Sequence, residues 1–392
     1  MILLRGGDPW GHAPGSDVLV REGTIAAIGP GLAADGAETV DVTGRLVLPG
    51  LVDAHCHLDK TLYGGPWVPH TAGDALADRI GAERRTRAAH GVPDPGRIAA
   101  LLETMVAGGT SHVRSHTDIS PELGLSGVEA VREAVGRLAG RVEVEQVAFP
   151  QYGLVSNPGT AELLDEALAA GVENVGGIDP AGFDGDPVRH LDIVFDLAAR
   201  HGAGIDIHLH DGGSLGAWQI GLIADRTKAA GLAGKVTISH AYALGQLDDA
   251  QAGALAERLA EAGVNVIIAA VYSFPVPPIK RLRAAGVNVA CGHDGIRDLW
   301  GPYGSGDMLE RAMHVAYRST FRRDSDIEVA LDAATYGGAR ALGLAAYGLA
   351  PGAPADLVVV PARTPAEAVV THPPRELVLK GGRVVARAGQ VI

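Results

Sequence analysis

The sequence predicts an α/β protein: a (β/α)8 TIM barrel with a small discontinuous β-sandwich domain formed by both chain ends. Three observations predict this fold. Eight short runs rich in β-branched residues alternate with longer amphipathic stretches, and eight is the number of strands that closes such a barrel. Hydrophobic residues make up 47% of the 392 residues, so the chain can bury a large core. Both chain ends lack a helical period and are punctuated by glycine.

The eight runs are the expected barrel strands, and helix signals separate them. Asp94 and Asp186, each followed by proline, predict helix starts, and Ser126 with Glu129 predicts a capping box. Residues 61–94 form a long insertion after the first run, where insertions lie over the mouth of a barrel. The runs are residues 51–56, 111–116, 142–149, 174–179, 204–209, 235–240, 265–271 and 287–293.

The two chain ends differ in character from the middle. Residues 1–47 and 351–392 consist of short strand-like segments separated by glycine-rich turns. Each segment is small for an independent domain, so we expect the two to pair into one composite β-sandwich domain. The catalytic barrel then occupies residues 48–350.

Composition and charge argue against several classes of partner. The net charge is −13 without a basic run, which disfavours nucleic acid and anionic membranes and leaves a small molecule. Cys56 and Cys291 are the only cysteines, so no disulfide framework exists and a reducing compartment is favoured. We recognise no signal peptide and no apolar stretch of transmembrane length, and expect a cytoplasmic protein. Barrels of this kind often associate, so a homo-oligomer stays open.

Polar residues follow the predicted strands at the rim where barrel enzymes carry their chemistry. His55 and His57 end the first run and share one face of an extended strand, because alternate side chains point the same way. Five runs deliver histidine to this rim, which predicts a metal site. His116 and His293 either orient ligands or only pack. The polar residues are His55, His57, His116, Asp118, Gln151, Asp179, His208, His210, Asp211, His240, Tyr272, Ser273, His293 and Asp294.

The stretches PGLVDAHCHLDK, GIDIHLHD, TISHA and GHDGIRDLW carry a family resemblance in their residues and in their order. The sequence resembles the amidohydrolase superfamily, and within it the cytosine deaminase branch and the N-isopropylammelide isopropylaminohydrolase type. Matching stretches run nearly end to end. The resemblance implies a hydrolase that releases ammonia or an alkylamine from a small N-heterocycle of the aminopyrimidine or aminotriazine type.

The resemblance also implies one divalent metal ion, zinc or iron. The implied ligands are His55, His57, His208 and Asp294, a donor set that suits either ion and leaves a position open for water. Such an ion lowers the pKa of bound water to about 7. His240 and Asp294 are the implied catalytic residues: His240 polarises the attacked centre or assists proton transfer, and Asp294 passes the water proton to the leaving amine. The implied substrate contacts are Lys60, Gln151, Asp179, His210 and Trp300.

Three positions depart from the family pattern. Asp211 stands where ring deaminases place a glutamate that protonates a ring nitrogen, and it is one methylene shorter. Gly295 replaces a polar residue, which removes a substrate contact and is expected to open space. Gln151 matches the cytosine deaminase pattern and not the ammelide one. The expected pocket is therefore a mosaic, and the sequence names neither the ring nor the leaving group.

Three other functions stay open at this point. A hydrolase that opens cyclic amides would use the same metal site. The segment GGSLG at 212–216 fits G-x-S-x-G, with Ser214 as a nucleophile and His240 downstream, or else it is a glycine turn into a helix that Ser214 caps. A non-catalytic scaffold on the same barrel is the third, although such proteins commonly lose metal ligands and this chain keeps all four.

Overall fold

The structure is a computed structural model that describes residues 1–73 and 75–392. It contains an eight-stranded parallel barrel sheet wrapped by helices and a second sheet of nine strands drawn from the two chain ends. The predicted fold class is thereby confirmed. No helix in these described residues is long and apolar enough to cross a membrane.

The chain begins with five strands of the smaller sheet. They are β1 (Ile2–Pro9), β2 (Ser16–Arg21), β3 (Thr24–Gly29), β4 (Glu38–Asp41) and β5 (Leu46–Pro49). The first residues of β1 pair with β2 and β4, whereas its last two, Asp8 and Pro9, pair with β5. The register shifts between Leu4 and Gly7, and Gly6 there has a φ of +72° that favours glycine. This bulge lets one strand serve both halves of the sheet.

All eight predicted barrel strands are present and follow one another in spatial order. They are β6 (Leu51–Cys56), β7 (Thr110–Asp118), β8 (Glu143–Phe149), β9 (Asn174–Ile178), β10 (Gly204–His208), β11 (Val236–Ser239), β12 (Asn265–Ile268) and β13 (Val289–Cys291). The barrel closes just beyond β13. There the Asp294 N–H donates to the His55 carbonyl at 2.9 Å, and the His57 N–H donates to the Asp294 carbonyl at 3.3 Å.

The C-terminal strands complete the smaller sheet. They are β14 (Leu357–Val360), β15 (Leu377–Lys380), β16 (Arg383–Arg387) and β17 (Gln390–Val391). β14 pairs antiparallel with β5, which joins the two ends of the chain. Leu4, Val20, Leu357 and Leu379 belong to a core separate from that of the barrel, so the smaller domain has a hydrophobic interior of its own.

Helices cover the barrel, and the insertion after β6 contains one of them. The helices are α1 (Leu76–Thr86), α2 (Pro95–Ala107), α3 (Ser126–Arg137), α4 (Thr160–Ala169), α5 (Pro187–His201), α6 (Gly213–Ala230), α7 (Asp249–Ala262), α8 (Ile279–Ala284), α9 (Met308–Arg318), α10 (Asp324–Ala333), α11 (Tyr336–Ala341) and α12 (Pro365–Thr371). The predicted starts of α2 and α5 are confirmed, since Asp94 and Asp186 accept hydrogen bonds from backbone N–H groups of the first turn.

Two predicted serine caps are wrong. Ser126 is the first residue of α3, and its hydroxyl donates backwards to the Leu123 carbonyl at 2.8 Å, so no capping box forms. Ser214 lies inside α6, which begins one residue earlier, and its side chain does not cap the helix. Serine hydroxyls bond equally well to several nearby backbone groups, and the local turn decides which one they reach.

A buried carboxylate, Asp184, ties the loop after β8 to the loop after β9. It accepts hydrogen bonds from the backbone N–H groups of Leu154, Val155 and Ser156 at 2.9–3.1 Å. The Ser156 hydroxyl at 2.6 Å and His190 Nδ1 at 2.6 Å complete its shell. Burial alone would raise the pKa of the Asp184 carboxyl, but the hydrogen bonds from His190 and Ser156 hold it below its usual range.

Replacing Asp184 with alanine is expected to lower the free energy of unfolding by about 3–5 kcal/mol, because it removes the hydrogen-bond acceptor of the buried His190 Nδ1 and of the buried Leu154 N–H. Urea unfolding measures the loss. The folded-state pKa lies below the unfolded value of 3.8, so the carboxylate's contribution is present above about pH 4 and is lost as pH falls through the folded pKa. The difference in the free energy of unfolding between wild type and D184A should therefore become smaller below pH 4.

The matched control for this prediction is Asp225→Asn. Asp225 pairs with Arg258 at 2.9 Å on the surface, where its side chain is 68% exposed. Exposed ion pairs contribute about 0–1 kcal/mol, so this substitution should leave the unfolding curve nearly unchanged. Equal curves for D184A and wild type at pH 7 would contradict the account of the Asp184 shell.

Candidate metal centre and cavity

The four predicted metal ligands lie together at the carboxyl end of the barrel. His57 Nε2 is 3.3 Å from Asp294 Oδ1, and His55 Nε2 is 3.7 Å from the same oxygen. His208 Nε2 is 3.3 Å from His57 Nε2. The cluster forms at the seam where the barrel closes, because His55 lies in β6, His57 directly follows that strand, and Asp294, in the segment after β13, returns to the seam.

The donor atoms of this cluster fit a divalent ion. Ligands around a tetrahedral zinc ion stand about 3.3–3.5 Å apart when each bond is about 2.0–2.1 Å long. His55 Nε2 is buried without a hydrogen-bond partner in the described chain. Burial lowers the pKa of His57 to about 4 and holds that of His208 well below its usual range, so both rings keep their lone pairs. Although burial opposes it, the His55 and His57 imidazoles beside Asp294 hold the pKa of its carboxyl well below the usual range, so the carboxylate is charged.

A hydrogen-bond chain inside the barrel fixes the orientation of His55. Its Nδ1 donates to the Ser239 hydroxyl at 2.9 Å, and that hydroxyl donates to Asp206 Oδ1 at 2.7 Å. Arg114 binds the other oxygen of Asp206 at 3.0 Å. This chain leaves the Nε2 lone pair free to face the ion. Ser239, Asp206 and Arg114 were not predicted as site residues, although alternation along β10 places Asp206 on the same face as His208.

The two histidines left open by the sequence have different roles. The His116 ring packs 4.1 Å from that of His55 and 4.5 Å from that of His208, and neither of its nitrogens has a hydrogen-bond partner in the described residues. His116 therefore packs against the rings of two predicted ligands. His293 Nδ1 donates to Asp53 Oδ2 at 2.7 Å across the seam between β13 and β6, which holds the barrel closed.

His240 and His210 stack beside the predicted metal ligands, with ring centroids 4.5 Å apart. His210 Nδ1 donates to Asp179 Oδ2 at 2.7 Å, and Asp179 Oδ1 accepts the His210 backbone N–H at 2.6 Å. Burial would lower the pKa of His210, but the Asp179 carboxylate outweighs it and raises that pKa. Asp179 thus lies behind His210 and outside the lining of the main cavity.

Lys60, Gln151 and Trp300 meet on another side of the cavity. Lys60 Nζ donates to Gln151 Oε1, lies 3.2 Å from Asp118 Oδ1, and sits 5.1 Å from the centre of the Trp300 ring. Because the ammonium only donates, the amide oxygen of Gln151 faces it, and Nε2 is left without a partner in the described chain. Burial would lower the pKa of Lys60, but Asp118 and Glu83 raise it, so Lys60 is charged.

A buried charged network behind Lys60 was not predicted. Glu83, on α1, accepts the Trp300 indole N–H and a hydrogen bond from Arg87 at 3.0 Å. Arg87 also binds Asp118 at 2.6 Å and Asp59 at 2.9 Å. Burial raises the pKa of Glu83 to about 7. The network fastens the inserted helix α1 over the barrel mouth. In the sequence, only the i, i+4 spacing of Glu83 and Arg87 indicated that such a network could form.

The main cavity is about 580 Å³ and opens at the barrel mouth. Aromatic rings form one wall, where Tyr242 stacks on Phe274 with ring centroids 5.1 Å apart. The predicted site residues in its lining are His57, Lys60, Gln151, His208, His210, Asp294 and Trp300, and further lining residues include Tyr272, Asp298 and Tyr303.

Two of the positions that depart from the family pattern take on structural roles. Asp211 Oδ2 accepts the Gly182 N–H and the Gln219 side-chain N–H, both at 2.8 Å, so its carboxylate holds two loops together. The expectation that Gly295 opens space is wrong. A Cβ at Gly295 would collide with Oδ2 of Asp298 and lie 2.9 Å from its Cγ, so a carboxylate fills that space.

Comparisons with known proteins agree with this geometry. The sequence profile of the amidohydrolase family matches residues 96–386. The crystal structure of N-isopropylammelide isopropylaminohydrolase from Burkholderia multivorans ATCC 17616 is 46% identical, with a TM-score of 0.95 over 100% of this chain and 99% of that one. N-isopropylammelide isopropyl amidohydrolase from Pseudomonas sp. (strain ADP) is 31% identical over 89% of this chain and 88% of that protein. The 5-methylcytosine deaminase from Klebsiella pneumoniae, liganded with 5-fluorocytosine, is 27% identical, with a TM-score of 0.85 over 98% and 97% of the two chains.

Proposed function

Because the chain belongs to the amidohydrolase family, we propose that it is a metal-dependent hydrolase that releases ammonia or an alkylamine from a small N-heterocycle. The observation that carries the proposal is the cluster of three imidazoles and one carboxylate, joined by donor-atom distances of 3.3–3.7 Å, beside a cavity of about 580 Å³. Similarity to an N-isopropylammelide hydrolase and to a 5-methylcytosine deaminase supports an aminotriazine or aminopyrimidine as the substrate class.

The residues of the site have distinct tasks in this proposal. His55, His57, His208 and Asp294 would hold one zinc or iron ion, which supplies Lewis acidity and makes water a nucleophile near neutral pH. Asp294, whose side chain is 26% exposed, is the group that can take the water proton and deliver it to the leaving amine. His240 stands beside the cluster to assist at the attacked carbon.

The substrate ring is oriented by groups on two sides. Lys60 and the unpartnered Nε2 of Gln151 are donors that suit an exocyclic oxygen of the ring. The Lys60 ammonium lies over the face of the Trp300 ring in a cation–π contact, and this ring adds an apolar surface to the site. His210 is held in place by Asp179, so we propose that His210 touches the substrate and that Asp179 acts through it.

The proposed function is tested with a panel of aminopyrimidines, alkylaminotriazines and cyclic ureas, each followed for amine release and for the integrity of the ring. We expect amine release with the ring intact. If cyclic amides alone react, and by ring opening, the alternative amidohydrolase reaction replaces this proposal. A protein that lacks bound metal and turns over no compound would support the scaffold alternative, whereas the enzyme should carry about one ion per chain.

Ser214→Ala is expected to leave kcat/KM within about twofold of wild type, because the metal mechanism gives the exposed Ser214 hydroxyl no task and substitutions at exposed positions disturb a fold little. Ser214 is exposed on the first turn of α6, whereas His240 is buried. Steady-state kinetics on the best substrate of the panel measures the effect. A loss of 100-fold or more would favour the serine mechanism over the metal mechanism.

The cellular setting is also part of the proposal. Both cysteines are free and buried, which is compatible with a cytoplasmic protein. A homo-oligomer remains a prediction, and sedimentation equilibrium of the purified chain tests it.

A further inference from the structure

We propose that Asp298 is a substrate-binding residue that selects heterocycles carrying an N–H group at the ring position facing it. The inference rests on the proposed function and adds a residue and a recognition rule to it. Asp298 follows β13, lines the same cavity as Asp294 and Trp300, and is 4% exposed.

The two oxygens of Asp298 have different surroundings. Oδ1 accepts the backbone N–H groups of Trp300 at 2.8 Å and Gly301 at 3.0 Å, which orients the carboxylate. Oδ2 accepts no hydrogen bond from the described residues, and it is not one of the fully buried polar atoms. This oxygen therefore stays accessible from the cavity that Asp298 lines, where a ligand or water can satisfy it. The carboxylate is therefore fixed by one oxygen and offers the other to the cavity.

Glycine at position 295 makes this arrangement possible. A Cβ there would collide with Asp298 Oδ2 and would lie 2.9 Å from Cγ. With any other residue at 295, the carboxylate would have to move away from the space next to Asp294. Because residue 295 has no side chain, the Asp298 carboxylate occupies that space. An acidic group thus lies at a fixed point in the cavity.

The chemistry of the cavity indicates what this oxygen binds. Burial raises the pKa of Asp298 to about 6, which leaves the group mostly charged at pH 7, and the charge of Lys60 favours that form. A charged carboxylate only accepts hydrogen bonds, whereas Lys60 and Gln151 Nε2 only donate. A ring with both an N–H and a C=O group satisfies the two sets at once. The substrate class is therefore an amino heterocycle that retains a cyclic amide, and not a fully aromatic amine.

The test compares two ligands that differ in one group, an aminotriazinone with a free ring N–H and its N-methyl counterpart, on the metal-loaded enzyme. Asp298→Asn keeps an oxygen for the two backbone N–H groups and replaces the free acceptor by a donor. We expect wild type to favour the N–H compound, and D298N to lose about 10- to 100-fold in kcat/KM on that compound, the range for a hydrogen bond to a charged group. In D298N, the ratio of kcat/KM on the N–H compound to kcat/KM on the N-methyl compound should fall to near one.

Gly295→Ala is the second variant, because its added methyl group displaces the Asp298 carboxylate without removing it. It should lose the same preference while it keeps the metal. Equal losses on both compounds in D298N would reduce Asp298 to a support for the Trp300 turn and overturn the proposal. So would an unchanged preference in both variants.

Calorimetric binding of the two compounds separates this proposal from the proposed function. If wild type and D298N bind the N–H and N-methyl compounds with the same relative affinity, the role of Asp298 is wrong even where amine is released. If wild type releases no amine but binds the N–H compound preferentially, and D298N does not, the proposed reaction fails while the recognition rule stands.

Discussion

Replacing His208 with alanine is expected to remove the metal ion and to lower kcat/KM by about 10⁴-fold or more, since the ion supplies several kcal/mol of transition-state stabilisation. His208 Nε2 is 3.3 Å from His57 Nε2, and the ring centroids of His208 and Phe149 are 4.1 Å apart in a stacked pair. His208 is therefore both a proposed metal ligand and a packed core side chain. Elemental analysis of the purified variant, together with steady-state kinetics, measures the two losses side by side.

The matched control is His201→Ala. His201 ends α5 and pairs with Asp165 on the surface; it precedes the first residue of β10, whereas His208 is the last residue of that strand. This variant should keep about one ion per chain and wild-type kinetics. Chelator-treated wild type should behave like H208A and recover when the ion is returned. Full turnover by metal-free protein would refute the metal mechanism.

Replacing His240 with asparagine is expected to lower kcat by about 10²–10⁴-fold, the usual range for a proton-transferring group, while the metal stays bound. Asparagine is the suitable substitute because His240 has a φ of +69°, and asparagine tolerates this left-handed region better than most residues. Kinetics and elemental analysis are again measured on the same preparation.

The metal content of H240N decides between two roles for His240. Nitrogens of His55, His208 and His240 lie within 4.8 Å of one another, so these three also form a group that could hold an ion. Loss of the ion with the activity would make His240 a ligand. Loss of activity with the ion retained supports its position beside the attacked carbon.

The sequence predicted the parts of this protein that depend on local repetition. The strand runs and the rim histidines follow from alternation and from the rule that barrel strands carry chemistry at their carboxyl ends. Asp94 and Asp186 were recognisable as helix caps because each stands directly before proline. The failed capping box at Ser126 shows the limit, since its hydroxyl had several acceptors within reach.

The supporting contacts of the site could not be predicted in this way. His55 and Ser239 are separated by 184 residues, and Glu83 and Trp300 by 217, so no local pattern links them. The space beside Gly295 also escaped prediction, because the turn that brings Asp298 back depends on backbone hydrogen bonds of the loop. A missing side chain in the sequence did not mean an empty volume in the fold.

The seam where the barrel closes gives the metal centre a second consequence. His55 lies in β6 and His57 directly follows it, Asp294 follows β13, and backbone hydrogen bonds already join these two edges. An ion held by these residues would cross-link the beginning and the end of the barrel, which lie more than two hundred residues apart in the chain. Loading of the ion and completion of the fold are then thermodynamically linked, so a cell short of that metal would hold less of the intact protein, and not merely less of its activity.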